Sequence, residues 1–221
     1  MTSIIASFDI GKKNFAFIVE KVNTEKLKSI ENVPVTKRYK KDGTPTEKFQ
    51  NLLNSLYKCG EVILLRNLDI TDGCDPKKYF DPLLFYNMTD VLDEYIEYWD
   101  RCDAFIVEQQ MSFGRRKNNS MAVKLGQHCQ SYFILNFHRF KKTLEFPAYH
   151  KTQILGAPKA ERKTKPGRKK WAIKEAMNIL NLRKDDDTLA QVTTKKKQDD
   201  MSDCLLMTIT YSYLHFIDKK I

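Results

Sequence analysis

The sequence lacks any apolar run approaching the roughly 20 residues of a membrane-spanning helix. The first strand-like run begins at Ser3, which leaves no room for a signal or transit peptide, so none is expected. The cysteines form neither a zinc-ligand pattern nor a disulfide framework. They are Cys59, Cys74, Cys102, Cys129 and Cys204. We therefore predict an intracellular protein of a reducing compartment, with simple core or surface thiols and no membrane partner.

Acidic residues are too few to balance the basic ones. Lysine and arginine number 38 against 28 aspartates and glutamates, giving a formal net charge of +10. Such an excess indicates an anionic partner, most often a nucleic acid. A chain of 221 residues with ordinary apolar content can form one compact domain, and we expect a single domain over 1–221.

The stretch Ser3–Gly11 organises the rest of the chain. Its short apolar run, rich in β-branched residues and closed by Gly11, predicts a buried strand, and Phe15–Val19 predicts its hairpin partner. Asp9 ends the first strand. A buried carboxylate needs a hydrogen bond, an ion pair or a metal, so Asp9 either caps the turn in water or belongs to a site.

Ala104–Gln110 repeats this theme, because an apolar strand again ends in a carboxylate, Glu108. Strands alternating with helical patterns favour an α/β fold in which strand ends meet at one edge of the sheet. Near the C-terminus, Asp199 is a good helix N-cap. Asp200 and Asp203 are three residues apart and share one face of the first helical turn.

The intervening segments give a coarser picture. The predicted elements are a strand near Val33–Val35, a helix with Phe49 to Leu56 inward, a strand at Val62–Leu65, one helix over Met88–Trp99, a polar loop over Met111–Ser120, a helix over Met121–Phe140 and an edge strand at Leu144–Tyr149. Later segments predict a basic, mobile loop near 157–170, a helix over Trp171–Leu182 and a polar linker over Arg183–Gln198. The segment near 33–60 is predicted as a basic insertion or loop.

Asp9, Glu108, Asp200 and Asp203 could converge at one sheet edge. Such a group of carboxylates would raise one another's pKa values, and divalent cations would remove that penalty. Oxygen ligands suit Mg²⁺, or Mn²⁺ in its place, and a pair of ions supports phosphodiester cleavage. The simpler interpretation of Asp200 and Asp203, helix capping with a favourable dipole, explains Asp203 poorly because it leads into an apolar stripe.

Four motifs in this order resemble one family. They are Phe8-Asp9-Ile10-Gly11, Ile106-Val107-Glu108-Gln109-Gln110, His150-Lys151-Thr152 and Asp199-Asp200-Met201-Ser202-Asp203. The sequence resembles the Holliday junction resolvases of the poxvirus type, which are related to RuvC within the ribonuclease H-like superfamily.

The resemblance implies a mixed β-sheet of about five strands with helices on both faces. Asp9, Glu108, Asp200 and Asp203 match the family's catalytic and metal-binding acids. The DNA-binding residues that it implies are Lys151, Lys159, Arg162, Lys163, Lys165, Arg168, Lys169 and Lys170. It also implies a homodimer, two Mg²⁺ ions per active site, no small-molecule cofactor and paired nicks in four-way DNA junctions during recombination and repair. A viral member would act where viral DNA replicates.

Three other interpretations stay open at this point. Another ribonuclease H-like nuclease, cutting hybrids or flaps, would carry the same acids. A non-catalytic nucleic-acid-binding protein would share the basic charge but would not explain the strand-end carboxylates. The Asp9-Ile10-Gly11 turn also resembles the phosphate loop of actin-like kinases and ATPases, which need a second glycine-rich loop that this sequence lacks.

Overall fold

The computed structural model describes residues 1–78, 80–110, 120–194 and 198–221. Its strands are β1 (Thr2–Asp9), β2 (Phe15–Asn23), β3 (Gly60–Leu68), β4 (Ala104–Glu108) and β5 (Lys142–Phe146). Its helices are α1 (Thr24–Ser29), α2 (Glu47–Tyr57), α3 (Leu83–Glu94), α4 (Ile96–Trp99), α5 (Ser120–Phe137), α6 (Tyr149–Ile154), α7 (Lys159–Arg162), α8 (Lys165–Arg183), α9 (Asp186–Thr194) and α10 (Gln198–Ser212), which continues as a π-helical turn over Tyr213–Ile217.

The strands form one mixed sheet in the order β3-β2-β1-β4-β5. β1 pairs antiparallel with β2, and β2 pairs antiparallel with β3. β4 lies parallel to both β1 and β5. The prediction of a mixed sheet of about five strands is confirmed, as are the first hairpin and the edge position of β5.

Both faces of the sheet are covered, because side chains alternate along each strand. On one face, Ile5 and Ile18 pack with α1, α2, α8 and α10. On the other face, Phe8 and Phe105 pack with α3, α4 and α5. The rings of Phe105 and Phe133 stack with centroids 4.0 Å apart. The α/β fold with helices on both faces is therefore confirmed.

Three hydrogen bonds attach α10 to the middle of the sheet. The Ser7 hydroxyl on β1 donates to the Cys204 carbonyl at 2.7 Å, and Thr208 donates to the Ser7 oxygen at 2.9 Å. The Cys204 thiol also donates to the Ala16 carbonyl at 3.4 Å. These bonds are buried, so they set the position of α10 over β1 and β2 closely.

Several predicted boundaries of helices and strands were wrong. The strand predicted near Val33–Val35 is absent from this described segment, and Val35–Lys37 form a 3₁₀ turn after Pro34. The helix predicted over Met88–Trp99 is two helices, because the backbone leaves helical geometry at Tyr95. α5 ends at Phe137, three residues early, where His138 takes a positive φ of 50°. The predicted loop at Met111–Ser120 lies outside the described residues except for Ser120, which begins α5.

The basic segment predicted as a loop near 157–170 is mostly helical. α7 covers Lys159–Arg162, and α8 begins at Lys165. The Thr164 side chain caps α8 by accepting from the Gly167 amide. Pro166 lies in the first helical turn, where a missing N–H costs nothing. The Pro-Gly pair is therefore part of a helix start rather than a break.

The predicted polar linker at Arg183–Gln198 was also wrong. α9 occupies Asp186–Thr194, and the Asp185 carboxylate accepts from the Thr188 amide at 3.0 Å. Val192 is buried against the first core face. Leu189 also packs against this core, and two apolar contacts on an otherwise polar helix are a weak signal in the sequence, because packing rather than periodicity holds such a helix in place.

Candidate active site

Asp9 and Glu108 come together because their strands are parallel neighbours. Phe8 on β1 pairs with Val107 on β4, so the next residue of each strand is a carboxylate at the same sheet edge. The two carboxyl groups lie within hydrogen-bonding reach of each other, and this contact raises the pKa of Asp9 and lowers that of Glu108. The predicted convergence of strand-end acids is thus present in the geometry.

Asp203 reaches the same edge from α10. The bonds of Ser7 with Cys204 and Thr208 place the first turns of α10 over the end of β1. The Asp203 carboxylate is within electrostatic reach of both Asp9 and Glu108. The side chains of Glu108 and Asp203 are only 13% and 21% exposed, so their mutual repulsion is poorly screened.

Lys151 lies at the centre of this group. It sits in α6, immediately after the edge strand β5, and its side chain is 7% exposed. Its ammonium is 2.8 Å from Oε1 of Glu108 and 2.9 Å from Oδ2 of Asp203. The structure therefore places Lys151 inside the acid cluster; its predicted contact with DNA stays a prediction.

The pKa shifts follow from burial and from these neighbours. Burial, with the charges of Glu108 and Asp203, raises the pKa of Asp9 well above its usual value. Burial also raises the pKa of Asp203, although Lys151 opposes the shift. Burial works against the charge of Glu108, but Lys151 and hydrogen bonds from its neighbours lower its pKa. Burial disfavours the Lys151 ammonium, yet the charges of Asp203, Glu108 and Asp9 raise its pKa overall.

The donor chemistry fits a hard divalent cation. Three buried carboxylates repel one another, and the site already accommodates one cationic group, the Lys151 ammonium. Within the described ranges, no three His, Cys, Asp or Glu side chains are already arranged around one point as a metal ion would require. A divalent cation would compete with Lys151 for the oxygens of Glu108 and Asp203, since both bind the same acceptors.

Asp199 and Asp200 lie one turn earlier on α10, towards α8. The Lys169 ammonium forms an ion pair with Asp199, and its pKa is raised despite partial burial, through Asp199, Asp200 and Asp203. Asp199, Asp200 and Asp203 thus all act on Lys169, whereas Asp9, Glu108 and Asp203 act on Lys151. The N-cap role predicted for Asp199 was wrong, because α10 already includes Gln198.

The remaining predicted DNA-binding residues form a basic surface on α7 and the start of α8. Arg162 and Lys169 are half-buried. The exposed members are Lys159, Lys163, Lys165, Arg168 and Lys170. The Lys169–Asp199 pair connects this surface to the acids.

No protein-family model matches the chain. It is 32% identical over 237 aligned residues to "Uncharacterized protein 170L" of Invertebrate iridescent virus 6, covering 97% of this chain and 91% of that protein. It is 31% identical to "Uncharacterized protein 97L" of Invertebrate iridescent virus 3, covering 94% of this chain and 98% of that protein. The chain belongs to this family of iridescent virus proteins.

Solved structures share the fold of this iridescent virus family. The fowlpox virus resolvase in complex with substrate Holliday junction DNA superposes with a TM-score of 0.51 at 16% identity, covering 95% of this chain and 96% of that one. The yeast mitochondrial Holliday junction resolvase Ydc2 gives a TM-score of 0.56 at 12% identity, covering 95% and 78%. Thermus thermophilus RuvC gives 0.50 at 12% identity, covering 97% and 95%. The predicted resemblance to RuvC-like resolvases therefore holds for the fold.

Two contributors to the site of this family member were missed in the sequence. Ser7 is fully buried and holds α10, but a serine within an apolar strand resembles an ordinary core residue. Gln110 donates to the Glu108 carboxylate at 3.4 Å. Its position two residues after the strand-end acid Glu108 could have indicated this contact from the sequence.

In the part of the chain that the structure describes, no helix has both the length and the apolar character to cross a membrane.

Proposed function

We propose that this protein is a Mg²⁺-dependent endonuclease that resolves four-way DNA junctions by paired, symmetric nicks. One observation carries the proposal. Asp9, Glu108 and Asp203 meet at one sheet edge beside a basic surface, in a fold shared with Holliday junction resolvases. A non-catalytic DNA-binding protein has no need to bury three mutually repelling carboxylates, since each raises the free energy of the folded state.

The acids and Lys151 would have different roles in cleavage. Asp9, Glu108, Asp200 and Asp203 would hold the divalent cations. The chemistry that two bound ions would supply is activation of a water and stabilisation of the leaving oxygen of the phosphodiester. Lys151 partly neutralises Glu108 and Asp203, and its ammonium would be available to contact the scissile phosphate. Burial of the cluster keeps these charges poorly screened.

The basic surface would position the DNA. Lysine and arginine bind phosphates by counterion release, so the protein reads junction shape rather than base sequence. Exchanging Lys163, Lys165 and Arg168 together for glutamine should weaken junction binding and flatten the dependence of log affinity on log salt by about one unit per lost contact. These three are exposed and leave the Lys169–Asp199 pair intact. Unchanged affinity and slope would show that the surface is merely solvated.

Paired nicks require two active sites on one junction, so the protein should act as a homodimer. The exposed apolar side chains Ile134 and Leu135 on α5, with Phe140 just beyond it, make this face the candidate interface. As a viral protein it would act where viral DNA replicates.

Cleavage of a synthetic four-way junction tests the function. Mg²⁺ or Mn²⁺ should support symmetric nicks that a ligase can seal, while Ca²⁺ or EDTA should not. Linear duplex, an RNA–DNA hybrid and a flap substrate serve as controls. Preferred cutting of the hybrid or flap would assign another ribonuclease H-like nuclease activity. Binding without cutting under all metal conditions would instead indicate a non-catalytic DNA-binding protein.

A further inference from the structure

The segment Tyr39–Pro45 folds into a tight loop between the 3₁₀ turn and α2. Tyr39 and Pro45 form a β-bridge across its base. The Lys40 amide donates to the Thr44 carbonyl at 2.8 Å, and the Gly43 amide donates back to the Lys40 carbonyl at 3.0 Å. The loop therefore has a defined conformation, although the sequence predicts only a basic insertion.

The loop carries two lysines and one aspartate. Its acid, Asp42, accepts hydrogen bonds from the amide and hydroxyl of Thr44 at 2.9 and 2.7 Å. Lys40 and Lys41 are exposed at the tip. Asp42 is exposed as well, and its bonds to Thr44 lower its pKa, so it keeps its negative charge. The two exposed lysines outnumber this one carboxylate, so the tip has a net positive charge and attracts anions.

The loop is docked on α7. The Asp42 carbonyl accepts from the Lys159 amide at 2.8 Å, and the Tyr39 hydroxyl donates to the Ile154 carbonyl at 2.9 Å. Gly43, at a φ of +90°, lies so close that any side chain there would collide with the Arg162 guanidinium. The contacts bring Lys40 and Lys41 beside basic residues about 120 positions later in the chain.

Further contacts connect α7 to the acid cluster of Asp9, Glu108 and Asp203. The Arg162 carbonyl accepts from the Arg168 guanidinium at 2.8 Å, which joins α7 to the first turns of α8. Lys169 in the next position pairs with Asp199, next to the acid cluster. Basic residues thus run from the acids along α8 and α7 to the Tyr39–Pro45 loop, which forms the far end.

We propose that the Tyr39–Pro45 loop is a second phosphate-binding segment that contacts the backbone of a duplex arm. It would do so farther from the cleaved bond than the residues of α7 and α8. The inference rests on the proposed function, because a DNA strand at the acids would follow this basic surface outward. Backbone contacts at a distance add affinity and register without sequence preference.

The test compares two charge-matched double variants. Lys40→Gln with Lys41→Gln removes the charges of the loop tip. Lys26→Gln with Lys28→Gln removes equal charge from α1, which lies near Met1 at the other end of β1 from Asp9. Affinity for a long-armed junction is measured by fluorescence anisotropy across a salt series, with Ca²⁺ to prevent cutting. Affinity is also measured for the same junction with trimmed arms. Single-turnover cutting rates are measured with Mg²⁺ at saturating protein.

We expect the loop variant to flatten the salt slope by about two units on the long-armed junction. It should match wild type on trimmed arms and cut at the wild-type rate when saturating. Gly43→Val, which displaces the loop from α7 without changing charge, should lose affinity in the same way. The α1 variant should behave as wild type.

Four results would overturn the inference. They are equal slopes for the two double variants, an equal loss on trimmed and long arms, a lower cutting rate at saturation, or wild-type affinity of Gly43→Val. Failure of the proposed function gives a different result. If wild type binds the junction but never cuts it, and the loop variant still flattens the salt slope, the nuclease proposal is wrong and the loop contact stands. A wild-type chain that binds no DNA would overturn both.

Discussion

Exchanging Lys151 for methionine should make the folded protein depend on divalent cations. The change removes the ammonium but keeps a long apolar side chain. Glu108 and Asp203, which lie 2.8 and 2.9 Å from that ammonium, would then repel each other and Asp9 without compensation. Removing one partner of a buried ion pair typically costs about 3–5 kcal/mol of unfolding free energy. For a chain of this size, that loss lowers the Tm by roughly 6–20 °C.

Mg²⁺ should reverse much of this loss, because it would supply the missing positive charge without having to displace an ammonium. The assay is thermal unfolding of wild type and variant in EDTA and over a Mg²⁺ series. Isothermal titration should show tighter Mg²⁺ binding to the variant than to wild type. Both readouts are independent of nuclease activity, which the variant is expected to lose.

Lys163→Met provides the control, because Lys163 is exposed and lies outside the cluster. Its Tm should stay within a few degrees of wild type in both conditions, as an exposed charge contributes little. An equal Tm loss for Lys151→Met in EDTA and in saturating Mg²⁺ would refute the reasoning, since the ammonium would then only fill space. Weaker Mg²⁺ binding by the variant would refute the competition between ammonium and metal.

Three further predictions concern the acids, the pH dependence and the assembly. Asp9→Asn, Glu108→Gln and Asp203→Asn should each abolish junction cleavage and leave junction affinity nearly unchanged, and parallel loss of binding and of folded signal would make these acids structural. Although burial opposes its charge, hydrogen bonds from Arg38 and its neighbours lower the pKa of Asp218 to about 2. Because that folded pKa lies below the unfolded value near 3.9, the stabilisation is complete above about pH 4 and is lost as the pH falls towards 2. Asp218→Asn should therefore cost about 3 kcal/mol at neutral pH, with a Tm deficit that shrinks between pH 4 and 2; a constant deficit would contradict this. Light scattering should give a dimer mass with and without junction DNA, and a monomer in both states would rule out paired nicking by one complex.

The sequence determined the sheet and the acids at its edge. The short apolar runs before Asp9 and Glu108 predicted both strands, because a buried strand has a local signature of length, branching and termination. Parallel pairing of such strands then places their final carboxylates together. The three-residue spacing of Asp200 and Asp203 predicted a shared helical face. Only the tertiary structure shows that Asp203 pairs with Lys151 and that Asp200 and Asp203 both act on Lys169.

Other features were decided by contacts between distant parts of the chain. Local patterns do not report which buried lysine meets which acid, so the pairing of Lys151 with Glu108 and Asp203 required the packing of α6 and α10 against the sheet. The segment near 157–170 was predicted as a loop partly because Pro166-Gly167 occurs both in loops and at helix starts, so the sequence did not reveal the start of α8. The docking of the Tyr39–Pro45 loop on α7 depends on backbone bonds across about 120 residues, which leave no periodicity in the sequence. The sequence therefore specified which chemical groups the protein carries, and long-range packing decided which of them meet.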